Sequence, residues 1–226
     1  MEKDGILDPA QMRPNNLEKP DSDYSLQAQM GIAAAKEAIK NAKISNPDID
    51  GVIVACTDAQ RVLPAIAIEI QEALSINGYA FDMHNACSSA IFGIQSAYNA
   101  IKAGQANTIL VINPEPCSLL LNFRDRETHF IFGDACTASI IQNKALAQNP
   151  HAYSIVDIKL KTQYSNNLRS NFGFINRTNP EQRDAKDKMI TQHGRKVFKE
   201  VVPLISNLLQ EQLAKLNILP KQLKRL

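Results

Sequence analysis

The chain has 226 residues, 44% hydrophobic and 21% charged, which is enough apolar material for a buried core in one or two globular domains. Its 25 Lys and Arg against 23 Asp and Glu exclude the strong charge field on which nucleic-acid or anionic-membrane binding relies. No apolar run nears the roughly 20 residues that span a bilayer, and Met1 to Pro9 are polar and acidic, so a cytoplasmic location is expected.

Residues 1–21 carry Pro9, Pro14 and Pro20 among Asn, Asp and Lys, and read as an extended arm or loop. From Ser22 or Asp23 to about Ala42, Leu26, Met30, Ala33, Ala34, Ala38 and Ile39 recur at helical spacing, behind an Asx/Ser start signal. Gly51 to Cys56 (GVIVAC) is a β-branched run suited to a parallel sheet buried on both faces, and Pro64 opens a helix to about Leu74. A short strand (Tyr79 to Met83) follows, then a helix from about Cys87 to Ala103 closed by Gly104, and the strand Thr108 to Asn113 (TILVIN). This alternation means α/β layers.

Beyond an Arg- and Asp-rich loop, ACTASII within Phe130 to Gln142 reads as another central strand. Tyr153 to Thr162 (YSIVDIKLKT) alternates in strand fashion, and Asn166 to Asn179 is an Asn-rich loop. A long amphipathic helix is expected from about Ala185 to Leu216, with Val197, Val201, Leu204, Ile205, Leu208 and Leu213 on its apolar side and Pro203 kinking or dividing it.

The four cysteines, Cys56, Cys87, Cys117 and Cys136, show no Cys-x-x-Cys spacing, so neither a zinc site nor a redox dithiol is signalled. Cys56, Cys117 and Cys136 read as small buried hydrophobes. Cys87 differs, because it falls where a short strand turns into a helix whose expected buried face is Ile91, Ile94, Tyr98 and Ile101. At a helix start, unpaired amides and the positive end of the dipole stabilise a thiolate and lower its pKa. The same amides can hold a developing oxyanion, which makes the turn a thiol analogue of the strained nucleophile turn of serine hydrolases.

Cys87 with AIFGIQSAYNAIKAG, then TILVINPE, then RDRETHFIFGDACTASII, resembles the β-ketoacyl-[acyl carrier protein] synthase III pattern in order and nearly in spacing; TDAQRVLPAIAIEIQ adds an earlier match. The resemblance implies a layered α-β-α-β-α thiolase-like fold in a homodimer. Residues 22–150 would form the first half, with the nucleophile, and residues 151–226 an incomplete second half. It implies an acyltransferase of fatty acid biosynthesis. Cys87 takes an acyl group from acyl-coenzyme A, and malonyl-acyl carrier protein then loses carbon dioxide and attacks the acyl-cysteine. Arg126 matches a contact to the nucleotide end of coenzyme A, Phe132 a residue lining the acyl pocket, and Leu63 the position that closes the neighbouring subunit's pocket. No metal or other cofactor is implied, coenzyme A entering only as a thioester substrate.

The alternatives are ordinary core packing for Phe132 and Leu63, and for Arg126 a solvated salt bridge with Asp125 or Glu127. The family's His-Gln-Ala-Asn histidine, its later asparagine and its glycine-rich carboxyl-terminal segment are missing, as is its opening strand. A fragment is therefore expected, inactive alone or completed by a partner chain. His84, His129 and His193 are weak candidates for a compensating base, and His151 carries no signal. A thiolase, a polyketide-type synthase, a non-condensing acyltransferase and, more distantly, a cysteine hydrolase remain alternative chemistries.

Overall fold

The computed structural model describes residues 22–170 and 189–224, together with two short strands, β1 (Leu7–Asp8) and β2 (Arg13–Pro14), which pair antiparallel. The rest of the expected arm lies outside the described residues, as do residues 171–179 of the Asn-rich loop and residues 185–188 of the expected last helix. The chain divides into two compact units, one of Asn16–Cys117 and Gly133–Val156, the other of Met1–Asn15, Ser118–Phe132 and Asp157–Leu226.

The first unit is built on a four-stranded sheet. Helix α1 (Leu26–Ala42) leads to β3 (Gly51–Cys56), α2 (Ile66–Ala73), β4 (Tyr79–His84), α3 (Ser89–Lys102), β5 (Thr108–Pro116) and β6 (Asp134–Gln142), with strand order β4-β3-β5-β6. β3 runs parallel to both β4 and β5, while β6 pairs antiparallel with β5. β6 is thus an edge strand within the described sheet rather than the central one its apolar run predicts, and none of its residues is fully buried.

All six residues of β3 are buried, as are Thr108 to Ile112 of β5, because helices cover both faces. Strand alternation sorts their side chains. Val52, Val54, Cys56, Leu110 and Ile112 meet Ala28, Ala35 and Ile39 of α1 and Ile66 and Ile70 of α2. Ile53, Ile109 and Val111 point the other way, against Ala97, Ile94 and Ile101 of α3. Pro114 and Pro116 are tolerated in β5 because pairing with β3 stops at Val54↔Ile112, leaving β6 as the only neighbour among the described residues.

Helix periodicity identifies α1 and α3, but small residues decide which stripe meets the sheet. α1 starts at Leu26, where Ser25 accepts the Ala28 N–H, and buries Gln27, Ala28, Gly31, Ala35 and Ile39, while the expected Ala33 is exposed. α3 buries Ser89, Gly93 and Ala97, whereas Ile91 is 49% exposed. A Cβ on Gly93 would stand 3.0 Å from both Ala55 Cβ and Val111 Cγ1. Gly93→Val is therefore expected to destabilise the unit by about 1–3 kcal/mol in a urea titration, by pushing α3 off β3 and β5.

α2 begins at Ile66, two residues after Pro64, so the proline precedes the helix instead of opening it. Its cap, Ala65, has no side-chain acceptor, and Asp82 of β4 supplies one, taking the N–H of Ile66 at 2.7 Å and of Ala67 at 2.8 Å.

In the second unit, β7 (Leu168–Ser170) pairs antiparallel with β8 (Ile190–Gln192), and α4 runs Gly194–Lys215. The last helix thus starts at Gly194, not near Ala185, because Ile190–Gln192 are held as a strand. Pro203 lies inside α4 without dividing it. Tyr153 to Thr162 forms no strand, and Tyr153 and Val156 are 97% and 73% exposed. Alternation makes a segment competent for a sheet, but a strand exists only where a neighbouring backbone takes its hydrogen bonds. Among the described residues, no helix is long and apolar enough to cross a membrane.

Candidate active site

The carboxyl ends of β3, β4 and β5 form one rim of the first unit, where open α/β sheets place their ligand sites. After His84, the last residue of β4, the chain turns at Asn85 and Ala86, passes through a single 3-10 turn (Ala86–Ser88) and enters α3 at Ser89. Ala86 has φ +48°, a left-handed conformation that costs a non-glycine residue about 1–2 kcal/mol. Cys87 follows it and is exposed, as an attacking thiol must be.

Short polar contacts hold this strained turn. Ser89 Oγ donates to Cys56 O at 3.0 Å and accepts the Asn85 N–H at 2.8 Å, which ties α3 to the end of β3. Ser88 Oγ donates to Asn85 O at 3.0 Å. The expected placement of Cys87 at the strand-to-helix junction is thereby observed, one turn earlier in detail: a 3-10 turn carries the cysteine, and the α-helix itself begins two residues later.

Sequence reasoning missed the carboxylate beside this rim. Glu115, near the end of β5, is half-buried and accepts the Thr57 N–H through Oε1 at 2.9 Å. Burial raises its pKa above the usual carboxylate value, opposed by the Thr57 bond and by the charge of His84. His84 Nδ1 lies 3.3 Å from Cys56 O and 3.7 Å from Cys56 Sγ. Cys117 Sγ donates toward Glu115 Oε2 at 3.9 Å. The available signal was an acidic residue two positions beyond the apolar run TILVIN.

The other thiols are held protonated. Burial, then the negative charges of Glu115, Asp134 and Cys87, push Cys117 up to about 11, and burial followed by Glu115 pushes Cys136 up to about 11. Cys56 is raised further, by complete burial first and then by Glu115, Asp82 and Asp58. Only Cys56 is the buried small hydrophobe the sequence predicts, since Cys117 and Cys136 are half-exposed.

A carboxylate whose folded pKa is raised favours folding below its ordinary value of 4.5, and that contribution is lost as pH rises through the raised value. Glu115→Gln keeps an oxygen for Thr57 and carries no charge. Its melting temperature is expected to exceed wild type at about pH 7 and to converge with it at about pH 4, as scanning calorimetry would record.

Leu63 lies in the loop before α2 and is 84% exposed, so it is not core packing. Arg126 and Phe132 belong to the second unit. Arg126 is exposed, with no ion pair to Asp125 or Glu127 among the described residues, and Phe132 packs on Leu121, Phe123 and Ile190. Near Arg126, Asp125, Glu127, Asn167, Arg169 and His193 line a cavity of about 560 Å³. His129 Nδ1 sits 2.9 Å from Asp125 O, and the His193 N–H is given to Asn167 O. Among the described residues, no group of three or more His, Cys, Asp or Glu is arranged to hold a metal ion.

Residues 81–163 match the 3-oxoacyl-[acyl-carrier-protein] synthase III family model. The chain is 52% identical over its whole length to a β-ketodecanoyl-[acyl-carrier-protein] synthase of Pseudomonas aeruginosa, covering 64% of that protein. It is 30% identical over 206 residues, 89% of its length, to β-ketoacyl-[acyl-carrier-protein] synthase III of Bartonella bacilliformis, covering 61% of that protein. The chain thus spans just under two thirds of these relatives. The crystal structure of 3-oxoacyl-[acyl-carrier-protein] synthase III from Aquifex aeolicus is similar with a TM-score of 0.70 and 27% identity, over 88% of this chain and 59% of that one. The α/β layering is that of the thiolase-like fold, and in sequence and architecture the chain is similar to the β-ketoacyl-[acyl-carrier-protein] synthase III family.

Proposed function

We propose that Cys87 is the acyl-accepting nucleophile of a decarboxylative condensing enzyme of fatty acid biosynthesis, an acyltransferase. The observation that carries this reading is an exposed cysteine one residue beyond a left-handed Ala86, pinned by Ser89 over the end of β3. Such a turn presents the sulfur to an incoming thioester and keeps the backbone N–H groups of the helix start beside it. The Cys87 thiolate attacks the carbonyl carbon of acyl-coenzyme A, a thioester bond forms, and coenzyme A leaves as its thiolate. Condensation with malonyl-acyl carrier protein then moves the acyl group to the new carbanion and frees Cys87.

The 52% identical relative is named for a ten-carbon product, and decarboxylative condensation adds two carbons. Octanoyl-coenzyme A is therefore the first primer to test. Arg126 as a contact for the nucleotide end of coenzyme A and Phe132 as part of the acyl pocket belong to the same proposal, as do the halves at residues 22–150 and 151–226. So do a cytoplasmic location and a reaction that uses no metal or other cofactor. The 84% exposure of Leu63 supports its role in closing a second subunit's pocket in a homodimer.

The test is intact mass spectrometry after incubation with octanoyl-coenzyme A. One octanoyl group per chain is the expected gain; a folded protein that takes up no acyl group from any thioester would overturn the reading. A partner-dependent chain is the second reading. It is favoured by the exposed apolar side chains Phe198, Val201, Val202, Ile205 and Leu209 along α4, and monodisperse, stably folded monomers in sedimentation velocity would argue against it.

A further inference from the structure

One backbone carbonyl holds the chain on both sides of Cys87. Cys56 O, at the end of the fully buried strand β3, accepts the Ser89 hydroxyl at 3.0 Å and lies 3.3 Å from His84 Nδ1. A carbonyl only accepts, so His84 donates its Nδ1–H. Residues 85–88, with Cys87 among them, are thus spanned by two side chains that meet on one oxygen. From this clamp we propose that Ser89 is a positioning residue for acyl transfer: its hydroxyl fixes the direction in which Cys87 presents its sulfur to a thioester carbonyl. The inference rests on the reading of Cys87 as the acyl acceptor.

Ser89 is 1% exposed, and its hydroxyl is used in both directions. It gives its proton to Cys56 O and takes the Asn85 N–H at 2.8 Å, so it joins the turn to β3 and also closes the turn on itself. Ser88 does only the second, because its Oγ bonds to Asn85 stay inside the turn. The anchor is firm, since Cys56 is fully buried and β3 pairs with both β4 and β5.

Ala86, next to Cys87, holds φ +48°, which a non-glycine residue keeps only where its surroundings oppose relaxation. Without the Ser89 hydroxyl the Asn85 N–H loses its acceptor, Ala86 relaxes toward a negative φ, and the Cα–Cβ bond of Cys87 turns with it. The sulfur stays exposed, but attack on a carbonyl carbon needs aligned atoms, and the carbonyl oxygen must arrive at backbone N–H groups. Iodoacetamide makes no such demand. The free reagent turns to suit the sulfur as iodide is displaced, so alkylation reports whether the thiol is reachable rather than how it is aimed.

The test compares wild type, Ser89→Ala and Ser89→Thr as whole chains, by the rate of octanoyl uptake from octanoyl-coenzyme A in intact mass spectra. For Ser89→Ala the rate at saturating thioester is expected to fall by about 10–100-fold while the half-saturating concentration stays within about two-fold. Ser89→Thr, which keeps the hydroxyl, is expected to restore the rate to within about three-fold of wild type. Iodoacetamide labelling of Cys87, read on the tryptic peptide of residues 62–102, is expected to change by less than about three-fold in both variants. On the peptide of residues 44–61, the buried Cys56 stays unlabelled as long as the variant is folded. An alanine variant as fast as wild type, or a threonine variant no faster than alanine, would overturn the positioning role. Labelling of Cys56 in Ser89→Ala would overturn it too, by making Ser89 a residue of stability alone. Each of these outcomes leaves Cys87 as the acyl acceptor, whereas a folded wild type that takes up no octanoyl group overturns that reading and this one together.

Discussion

Cys87→Ala is expected to abolish acyl uptake from octanoyl-coenzyme A, with the intact mass unchanged after incubation while wild type gains one acyl group. The loss is complete because the carbonyl carbon must bond to a specific atom, and no other thiol in the chain is exposed enough to replace it. Cys117 and Cys136 are pushed up to about 11, and Cys56 is buried. Alanine also leaves the anchoring bonds intact, since Asn85, Ser88 and Ser89 make them without the sulfur. The variant should therefore unfold at the same urea concentration as wild type. Residual acylation that maps to Cys117 would move the nucleophile to the neighbouring residue, and acylation spread over surface lysines would mean that the wild-type adduct was nonspecific.

Glu69→Ala is expected to lower folding stability by about 3 kcal/mol, measured as the shift in urea midpoint multiplied by an unchanged slope. Glu69 lies on α2 with a side chain only 4% exposed, and it accepts the Ser25 N–H at 3.1 Å, the Ser25 hydroxyl, and Arg61 Nη1 at 2.9 Å. Ser25 is itself fully buried and caps α1, so one carboxylate joins the two helices that cover the same face of the sheet. Truncation strands an amide, a hydroxyl and a guanidinium. Removing one partner of a buried pair costs about 3–5 kcal/mol, and the 22% exposure of Arg61 puts this case at the lower end. Arg61→Ala should cost less, because Ser25 still satisfies the carboxylate. A loss below about 1 kcal/mol for Glu69→Ala would rank the pair with surface ion pairs.

The sheet was legible where burial leaves a strong composition signal. GVIVAC and the ILVI of TILVIN are apolar throughout because helices press on both faces, so both strands could be read without a partner in view. Cys87 was legible for a different reason: the residues of a strand-to-helix junction are contiguous in sequence, so the turn, its small residues and the helix behind it all lie within one window. The contacting faces of α1 and α3 were not legible. Periodicity marks an apolar stripe, but Gly31 approaches α2 and Gly93 approaches the sheet more closely than any isoleucine allows, and that fit depends on Ile70, Ala55 and Val111 opposite them.

Chain composition and local order by themselves established an α/β layering, the order of its helices and strands, and a cysteine at the start of α3, since each follows from neighbours within a few residues. Only the folded chain decided that β6 is an edge strand of the described sheet, that YSIVDIKLKT joins no strand among the described residues, and that Asp82 caps α2 from another strand. It also decided that Glu115 stands among three thiols, Cys56, Cys117 and Cys136, that look unrelated in sequence. These are long-range facts: a backbone hydrogen bond or a carboxylate's charge acts on whatever topology brings within a few ångströms, and the one-dimensional order of residues does not record that distance.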